Sequence, residues 1–342
     1  MVKRIFTLFV LASAGLAQSS SDGRFSEHQS KDVNLSLRQA RMGQAEGFHS
    51  EACAVASDIV SSVPACLPTI RKEVQEVNLT FTVTDHHGHF VRNLVKSDFT
   101  IHDNGESPER ITYFESQSEL PLRLAMVIDS SNSVAYAFKD EKQSAAAFLK
   151  HILRRGSDLA LVMGFNREVR LVQEPASDNY LLSQAIQKLQ IGGETAIYDA
   201  VSAASQQLAN LRDTQRVRRA IILITDGEDN SSHMNLEQAE EIAQRSECAI
   251  YVMSVNLEAV SILEESDRAM RELSEVTGGN FLHVRTKEGV TMAFSKIDKE
   301  LRSQYLITYK PASVSPDGSF HQLVVQGPKK LRMHHRNGYF AR

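Results

Sequence analysis

Apolar runs that alternate with helical patterns through the middle of the chain constrain the fold more than any other feature. The runs at 122–128, 220–224 and 249–255 have the character of strands buried on both faces of a sheet. Helical patterns lie between them, as at 134–153 and 236–246. This alternation predicts an α/β fold with a doubly wound, mostly parallel sheet covered by helices on both faces.

The remaining elements of this region follow from the same patterns. Further strands are predicted at 159–165, 169–172 and 281–284. Further helices are predicted at 178–189, 196–211, 263–276 and 289–301. Together these elements predict one α/β domain over residues 119–302.

Both flanks of this domain are rich in short strand patterns. Before it, apolar and polar residues alternate from Val77 to Thr84, and shorter runs follow at 99–101 and 111–114. After it, runs occur at 304–309, 322–325 and 331–334. Each group is too small to form a stable sheet alone. We therefore expect residues 73–118 and 303–342 to build one small β-sandwich-like module together.

The N-terminus has the pattern of a secretory signal peptide. Lys3 and Arg4 precede an apolar run, and small residues lead to a predicted cleavage site after Ala17. The alternative is an uncleaved anchor. Residues 1–17 are thus the predicted signal peptide and residues 18–72 a polar tail, with a secreted or periplasmic location. No other stretch has 18 apolar residues, so no membrane span is expected in the mature chain.

Charge and cysteine content limit the partners. A net charge of −4 gives no reason to expect nucleic acid as a partner. Cys53 and Cys66 are close in sequence and could form a disulfide, as secreted proteins permit. Cys248 begins an apolar run and is predicted to be a buried thiol.

Oxygen-bearing side chains follow the strand predicted at 122–128. The sequence there reads Asp129-Ser130-Ser131-Asn132-Ser133, which places one carboxylate and two hydroxyls at alternating positions. Hard oxygen donors of this kind suit Mg²⁺, Mn²⁺ or Ca²⁺ better than a soft metal. Alone, the motif is not specific, because Ser131 and Ser133 could equally cap the helix that follows.

Two later loops supply further oxygen donors. Thr195 follows Gly192-Gly193 just before a predicted helix, and Asp226 directly follows the strand predicted at 220–224. Ligands of open parallel sheets bind outside the carboxyl ends of the strands, where the strand order reverses. We therefore expect these loops to meet the first one. Glu228 and Asp229 are interpreted as solvated charges at the rim of the site.

The three loops together resemble the metal-ion-dependent adhesion site of von Willebrand factor type A domains. In that family an Asp-x-Ser-x-Ser motif, a distant Thr and a distant Asp hold one divalent cation. The resemblance covers about residues 120–300. It implies a metal site, with Mg²⁺ or else Mn²⁺ or Ca²⁺ as the cofactor, whose ligands are Asp129, Ser131, Ser133, Thr195 and Asp226.

The flanks resemble a narrower group. The Ser97-Asp98-Phe99 segment, Asp103-Asn104-Gly105 and the closing Arg336-Asn337-Gly338-Tyr339-Phe340 are similar to segments of secreted, type A-related proteins known chiefly from Acidobacteria. The function of that group is essentially uncharacterised. The likeness therefore implies architecture and compartment and no activity.

The resemblance implies a protein-binding, adhesion-type function without catalysis. Neutral hydroxyls among the ligands leave the cation with residual positive charge. A partner protein's Asp or Glu carboxylate would complete its coordination. The family usually has Gly between the two serines, where this chain has Asn132. If the position needs positive φ, Asn tolerates it at a small cost in strain, and metal affinity could be reduced.

Two other functions fit parts of the pattern. One is a structural type A domain that holds no metal, with Asn132 as the main argument for it. The other is a metal-dependent, phosphatase-like hydrolase, since such enzymes also place Asp after a first apolar strand. Their motif has a second Asp two residues later as the acid or base, and this chain has Ser131 there.

Overall fold

A computed structural model describes residues 76–116, 119–226, 228–255, 264–313 and 317–341. Its strands, numbered in chain order, are β1 (Val77–Thr84), β2 (Thr100–Asp103), β3 (Arg110–Ser116), β4 (Leu122–Asp129), β5 (Leu159–Phe165), β6 (Val169–Ala176), β7 (Arg218–Thr225), β8 (Cys248–Val255), β9 (Phe281–Val284), β10 (Tyr305–Lys310), β11 (Phe320–Gln326), β12 (Arg332–His335) and β13 (Gly338–Phe340). Its α-helices are α1 (Phe138–Ile152), α2 (Asn179–Lys188), α3 (Ile197–Ala209), α4 (Leu236–Arg245), α5 (Glu264–Thr277) and α6 (Lys287–Leu301).

The central sheet has six strands in the order β6-β5-β4-β7-β8-β9. β4 pairs in parallel with β5 on one side and with β7 on the other, and β8 and β9 continue in parallel. Only β6, at the edge of this sheet, runs antiparallel to its neighbour β5. The predicted fold class, a doubly wound and mostly parallel sheet, is confirmed.

Helices cover both faces of this sheet because its central strands are apolar on both sides. Along β4, Leu124 and Met126 pack with α1, α2 and α6, whereas Ala125 and Val127 pack against α3 and its neighbours on the other face. All eight residues of β4 are buried. Removing this apolar surface from water, at roughly 25 cal/mol per Å², is the main force that holds the layers together.

The flanking strands form two antiparallel sheets that share a core. One sheet has the order β12-β1-β10-β3 and the other β13-β11-β2. β1 therefore pairs with β10 and β12, which come from the opposite flank of the chain. Their alternating apolar residues meet in one buried cluster that includes Phe81, Tyr305 and Val325. The predicted sandwich-like module is confirmed as part of the fold class.

Some details differ from the prediction. The helix expected at 134–153 is divided into a 3-10 turn, Ser133–Tyr136, and α1, which begins at Phe138. β6 extends to Ala176, and the short strand β13 was missed because its three residues include Gly338 and are too few to show a period. Helical periodicity cannot distinguish a 3-10 turn from the first turn of an α-helix.

Several predictions concern residues outside the described part of the chain. These are the signal peptide at 1–17, the polar tail at 18–72 and the disulfide between Cys53 and Cys66. Among the helices that the structure describes, none combines the length and apolar character needed to cross a membrane. The predicted domain boundaries stay predictions.

Candidate metal site

Asp129 ends β4 at the point where the strand order reverses, with β5 on one side and β7 on the other. Its side chain is 0% exposed. Oδ1 accepts a 2.8 Å hydrogen bond from the backbone N–H of Ser131, and Oδ2 accepts a 2.7 Å bond from the hydroxyl of Thr225 at the end of β7. The first predicted ligand is thus fixed by the ends of two neighbouring strands.

The loop after Asp129 is held by the next strand. Ser130 donates from both its backbone N–H and its hydroxyl to the carbonyl of Phe165, at 2.7 and 2.8 Å. The hydroxyls of Ser131 and Ser133 lie 3.0 Å apart, and one of them donates to the other. Ser131 is buried and Ser133 is exposed, so the pair of hydroxyls extends from Asp129 to the surface.

The two serines do not cap the following helix. In the described structure, Asn132 precedes the 3-10 turn and Ala137 precedes α1, and neither makes a side-chain capping bond. The interpretation of these hydroxyls as helix caps is therefore wrong. Their oxygens are turned toward each other instead, which leaves lone pairs for a cation.

The expectation that Asn132 is strained is also wrong. Asn132 has φ −66° and ψ −28°, which is ordinary right-handed helical backbone. The conformation arises because the 3-10 turn begins at the next residue. A glycine is therefore not required between the two serines, and the main argument for a type A domain without metal is removed.

Thr195 reaches the site through backbone hydrogen bonds. Gly192 donates to the carbonyl of Ser130 at 2.8 Å, and Asn132 donates to the carbonyl of Gly193 at 3.2 Å. These bonds tie the loop that carries Thr195 to the loop that follows Asp129. Gly193 has φ +88°, a conformation that glycine adopts without steric cost. Thr195 itself is 3% exposed.

The loop after β7 completes the arrangement. Asn230 accepts a 2.8 Å bond from the backbone N–H of Thr195, and the N–H of Asn230 donates back to the carbonyl of Thr195 at 3.0 Å. Asp226 begins this loop, and its Oδ1 is buried without a hydrogen-bond partner among the described residues. The three predicted loops are therefore joined to one another at one edge of the sheet.

Asp229 is a helix cap and not a solvated rim charge. Its Oδ2 accepts hydrogen bonds from the backbone N–H groups of Ile197 and Tyr198, at 2.7 and 3.2 Å, and from the hydroxyl of Ser232 at 2.5 Å. It therefore caps the start of α3 at Ile197, two residues after Thr195. Glu228, the other residue interpreted in this way, is exposed as expected.

The electrostatics of the site favour a cation. Burial raises the pKa of Asp129 from its ordinary value of 3.8 to about 6, although the hydrogen bonds from Ser131 and Thr225 oppose the rise. The negative charge of Asp226 adds to it. A carboxylate whose charge is disfavoured by burial and by a second carboxylate nearby is stabilised by a divalent ion, which neutralises its charge.

The donor set suits a hard divalent ion held partly by hydroxyls. Among the described residues, no three side chains of His, Cys, Asp or Glu lie together so as to hold a metal by themselves. A cation at this edge would therefore depend on hydroxyl oxygens in addition to the carboxylates of Asp129 and Asp226. Such an oxygen-only set is typical of Mg²⁺ and Ca²⁺ sites.

Glu141 is the residue near this site that the sequence prediction missed. It lies in the first turn of α1, is 1% exposed, and neither of its carboxylate oxygens has a hydrogen-bond partner in the part of the chain that the structure describes. Burial, together with the charges of Asp129, Asp226 and Asp140, raises its pKa to about 8. A signal existed, because Glu141 interrupts the apolar stripe that Ala145 and Phe148 continue.

Comparisons with known proteins agree with the domain prediction. Residues 124–228 match the family model of the von Willebrand factor type A domain. The match covers about a third of the chain and includes Asp129, Ser131, Ser133, Thr195 and Asp226. The predicted type A domain is confirmed for this segment. The closer placement with proteins known chiefly from Acidobacteria has no support from these comparisons and stays a prediction.

Solved structures with similar folds have low sequence identity. A von Willebrand factor type A structure from Catenulispora acidiphila is 12% identical, covers 78% of this chain and 73% of its own, and has a TM-score of 0.47. The vWF domain of the type V pili tip protein Mfa5 from Porphyromonas gingivalis is 12% identical, with coverage of 53% and 94% and a TM-score of 0.46. An aerotolerance-related membrane protein from Bacteroides fragilis is 17% identical, with coverage of 53% and 98% and a TM-score of 0.43. No curated protein matches the chain.

Four other residues of interest in the sequence lie outside the three loops of the site. His86, His87 and His89 are exposed on the turn after β1. Cys248 is a buried free thiol among the described cysteines, which confirms its interpretation, and burial raises its pKa to about 12. None of these residues contributes to the site described above.

Proposed function

We propose that this chain is a secreted or periplasmic protein-binding module that captures a partner's carboxylate through one divalent cation. The cation would be Mg²⁺ or a similar hard ion, held by Asp129, Ser131, Ser133, Thr195 and Asp226. The observation that supports this proposal most is the environment of the Asp129 side chain. Asp129 is a fully buried carboxylate whose hydrogen bonds do not neutralise its charge, and the hydroxyls of Ser131 and Ser133, which lie 3.0 Å apart, follow it in the same loop.

Each group has a distinct part in this function. Asp129 and Asp226 supply the charge that retains the ion. Ser131, Ser133 and Thr195 supply neutral oxygens, so the ion keeps residual positive charge for an incoming carboxylate. The exposed Ser133 lies where the site opens to solvent, so a partner's Asp or Glu would approach from that side. When bound, the ion would supply electrostatic attraction for that carboxylate.

Calorimetric titration of the whole chain with Mg²⁺ and Mn²⁺ tests the metal site. We expect one saturable site that is lost in Asp129→Asn and in Asp226→Asn. Asp178→Asn is the matched control, because Asp178 also accepts a backbone hydrogen bond but caps α2, outside the three loops. A chain that binds neither ion, or variants that bind as the native chain does, would refute the metal site.

Carboxylate capture has its own test. Short peptides with one central Asp, and the same peptides with Asn, would be titrated into the metal-loaded chain and into the chain with a chelator. We expect binding only of the Asp peptide and only with the metal. Turnover of a generic phosphoester that disappears in Asp129→Asn would favour the hydrolase instead.

Export is tested by the mass of the mature protein. We expect a chain that lacks residues 1–17 in the secreted or periplasmic fraction, because small residues precede the cleavage site at Ala17. Retention of the full-length chain in a membrane fraction would favour the uncleaved anchor.

A further inference from the structure

Glu141 has a buried carboxyl group to which none of the proposed ligands donates a hydrogen bond. Its side chain is 1% exposed, and neither oxygen is within hydrogen-bond reach of a donor among the described residues. A buried carboxylate without partners costs several kcal/mol, and proteins retain such groups mainly where a cation or a proton accompanies them. The fold gives this residue a position that an apolar side chain would fill at no such cost.

The position of Glu141 relates it to the three loops. It lies on α1, one turn after the 3-10 turn Ser133–Tyr136 that the Asp-x-Ser-x-Ser loop leads into. Its backbone N–H donates to the carbonyl of Ala137 at 3.0 Å, so the helix fixes it in place. Asp129 and Asp226 lie close enough for their charges to act on it.

We infer that Glu141 is an outer carboxylate of the proposed cation site, which would increase cation affinity by its charge and would accept a hydrogen bond from a water molecule on the ion. It is not a third direct ligand, since the described Asp and Glu side chains form no group of three that could hold a metal. This inference rests on the proposed function. It adds a positioning residue that the Asp-x-Ser-x-Ser pattern does not contain.

A second buried glutamate provides the control. Glu300 on α6 is 2% exposed, but its Oε2 accepts a 3.0 Å hydrogen bond from Asn280, and the charged groups that act on it are His334 and Lys296. Glu141→Gln and Glu300→Gln are therefore the same change at two buried helical positions. Only the first is a carboxyl group on which the charges of Asp129 and Asp226 act.

The test is Mn²⁺ affinity by calorimetry together with thermal unfolding in chelator. Removal of an outer partner of a metal ligand usually weakens metal binding by about 10–100-fold. We expect this loss in Glu141→Gln, with a higher melting temperature of the metal-free protein because folding no longer has to bury a carboxylate, either charged or with a bound proton. Glu300→Gln should leave the affinity unchanged. Glu141→Asp keeps the charge and should lose less affinity than Glu141→Gln.

The outcomes distinguish this inference from the proposed function. If Asp129→Asn abolishes Mn²⁺ binding but Glu141→Gln binds as tightly as the native chain, the inference fails and the proposed site stands. If the native chain binds no cation, both fail. If both glutamine variants weaken binding equally, the effect is a general consequence of altered packing, and the inference is wrong.

Discussion

The hydroxyl of Thr225 donates a 2.7 Å hydrogen bond to Oδ2 of Asp129 and so joins the ends of β7 and β4. Both residues are 0% exposed. Asp129 is the first of the predicted ligands, and Thr225 directly precedes the last, Asp226. One hydrogen bond therefore sets the orientation of the central carboxylate and the start of the loop that carries its neighbour.

Replacement of Thr225 by Val should weaken both folding and metal binding. A hydrogen bond to a charged group contributes about 1.5–3 kcal/mol, and we expect Thr225→Val to lose about that much unfolding free energy at pH 8 in chelator. The pKa of Asp129 should rise further, because this hydrogen bond lowers it. Mn²⁺ affinity should fall, since the carboxylate is no longer held in one orientation.

Thr308→Val is the control for this change. Thr308 on β10 is also fully buried, and its hydroxyl donates a 2.8 Å bond to Asn78 in the sandwich module. We expect it to reduce stability in urea unfolding and to leave Mn²⁺ affinity unchanged. Equal affinity losses in the two valine variants would show that Thr225 has no particular role in the site.

The metal-free protein should lose stability as pH rises from 4 to 8. Asp129 has an ordinary pKa of 3.8 and about 6 in the fold, and Glu141 has 4.5 and about 8. When the pH lies between the two pKa values of a group, the folded state holds a proton that the unfolded chain has released, so each increase in pH favours unfolding. Each group contributes roughly 1.4 kcal/mol per pH unit within its own range.

Unfolding in urea, with chelator and with excess Mg²⁺, would measure this dependence. Other groups whose pKa values are raised also contribute to the pH dependence of stability in chelator. They include half-buried Glu240, with a pKa of about 7, and buried Glu300. Mg²⁺ should act only on the carboxylates of the site, so the stabilisation it gives should grow from pH 4 to pH 8. A stabilisation by Mg²⁺ that does not depend on pH would contradict this account.

The sequence was sufficient to predict the sheet and the loops around the site. Buried strands such as β5 and β9 have apolar runs with clear ends, and their predicted limits agree with the structure. The site loops were located because parallel strands bring their carboxyl ends to one edge. These inferences depend only on local pattern and on the direction of the strands.

The relations that the sequence could not show are tertiary. Asn132 could be judged strained only if its φ was assumed positive, and the 3-10 turn that gives it φ −66° has no distinct sequence signal. The role of Asp229 depends on α3, which lies about 30 residues earlier in the chain. Glu141 was overlooked because a helix pattern with one charged position still predicts a helix, and its proximity to Asp226 requires the fold.

Loss of the Asp229 cap should affect the metal site as well as the helix. A side chain that caps a helix N-terminus contributes about 0.5–2 kcal/mol, and we expect Asp229→Ala to lose a similar amount of unfolding free energy. Because α3 begins just after Thr195, fraying of its first turn should also displace the threonine and lower Mn²⁺ affinity.

Asp178→Ala is the control, because it removes the corresponding cap of α2, where Asp178 accepts a 2.8 Å bond from the backbone N–H of Tyr180. Asp178→Ala should lose a similar amount of unfolding free energy and leave Mn²⁺ affinity unchanged. A fall in the Mn²⁺ affinity of Asp178→Ala would contradict a specific link between the start of α3 and the site.

Gly193→Ala tests the loop that carries Thr195. Gly193 has φ +88°, and a Cβ atom there would make only ordinary contacts, the nearest 3.5 Å away at Asn166. The cost of the substitution is therefore mainly backbone strain, about 1–2 kcal/mol for an L-residue in this region. The loop can relieve that strain by breaking the hydrogen bond from Asn132 to the Gly193 carbonyl, which would move Thr195 away from Ser131.

Gly105→Ala is the matched control, because Gly105 has φ +82° and open space around its Cβ position, but lies in a turn of the sandwich module. Both variants should lose similar unfolding free energy in urea, whereas only Gly193→Ala should weaken Mn²⁺ binding in calorimetry. Unchanged affinity in Gly193→Ala would mean that Thr195 is not held to the site by this loop.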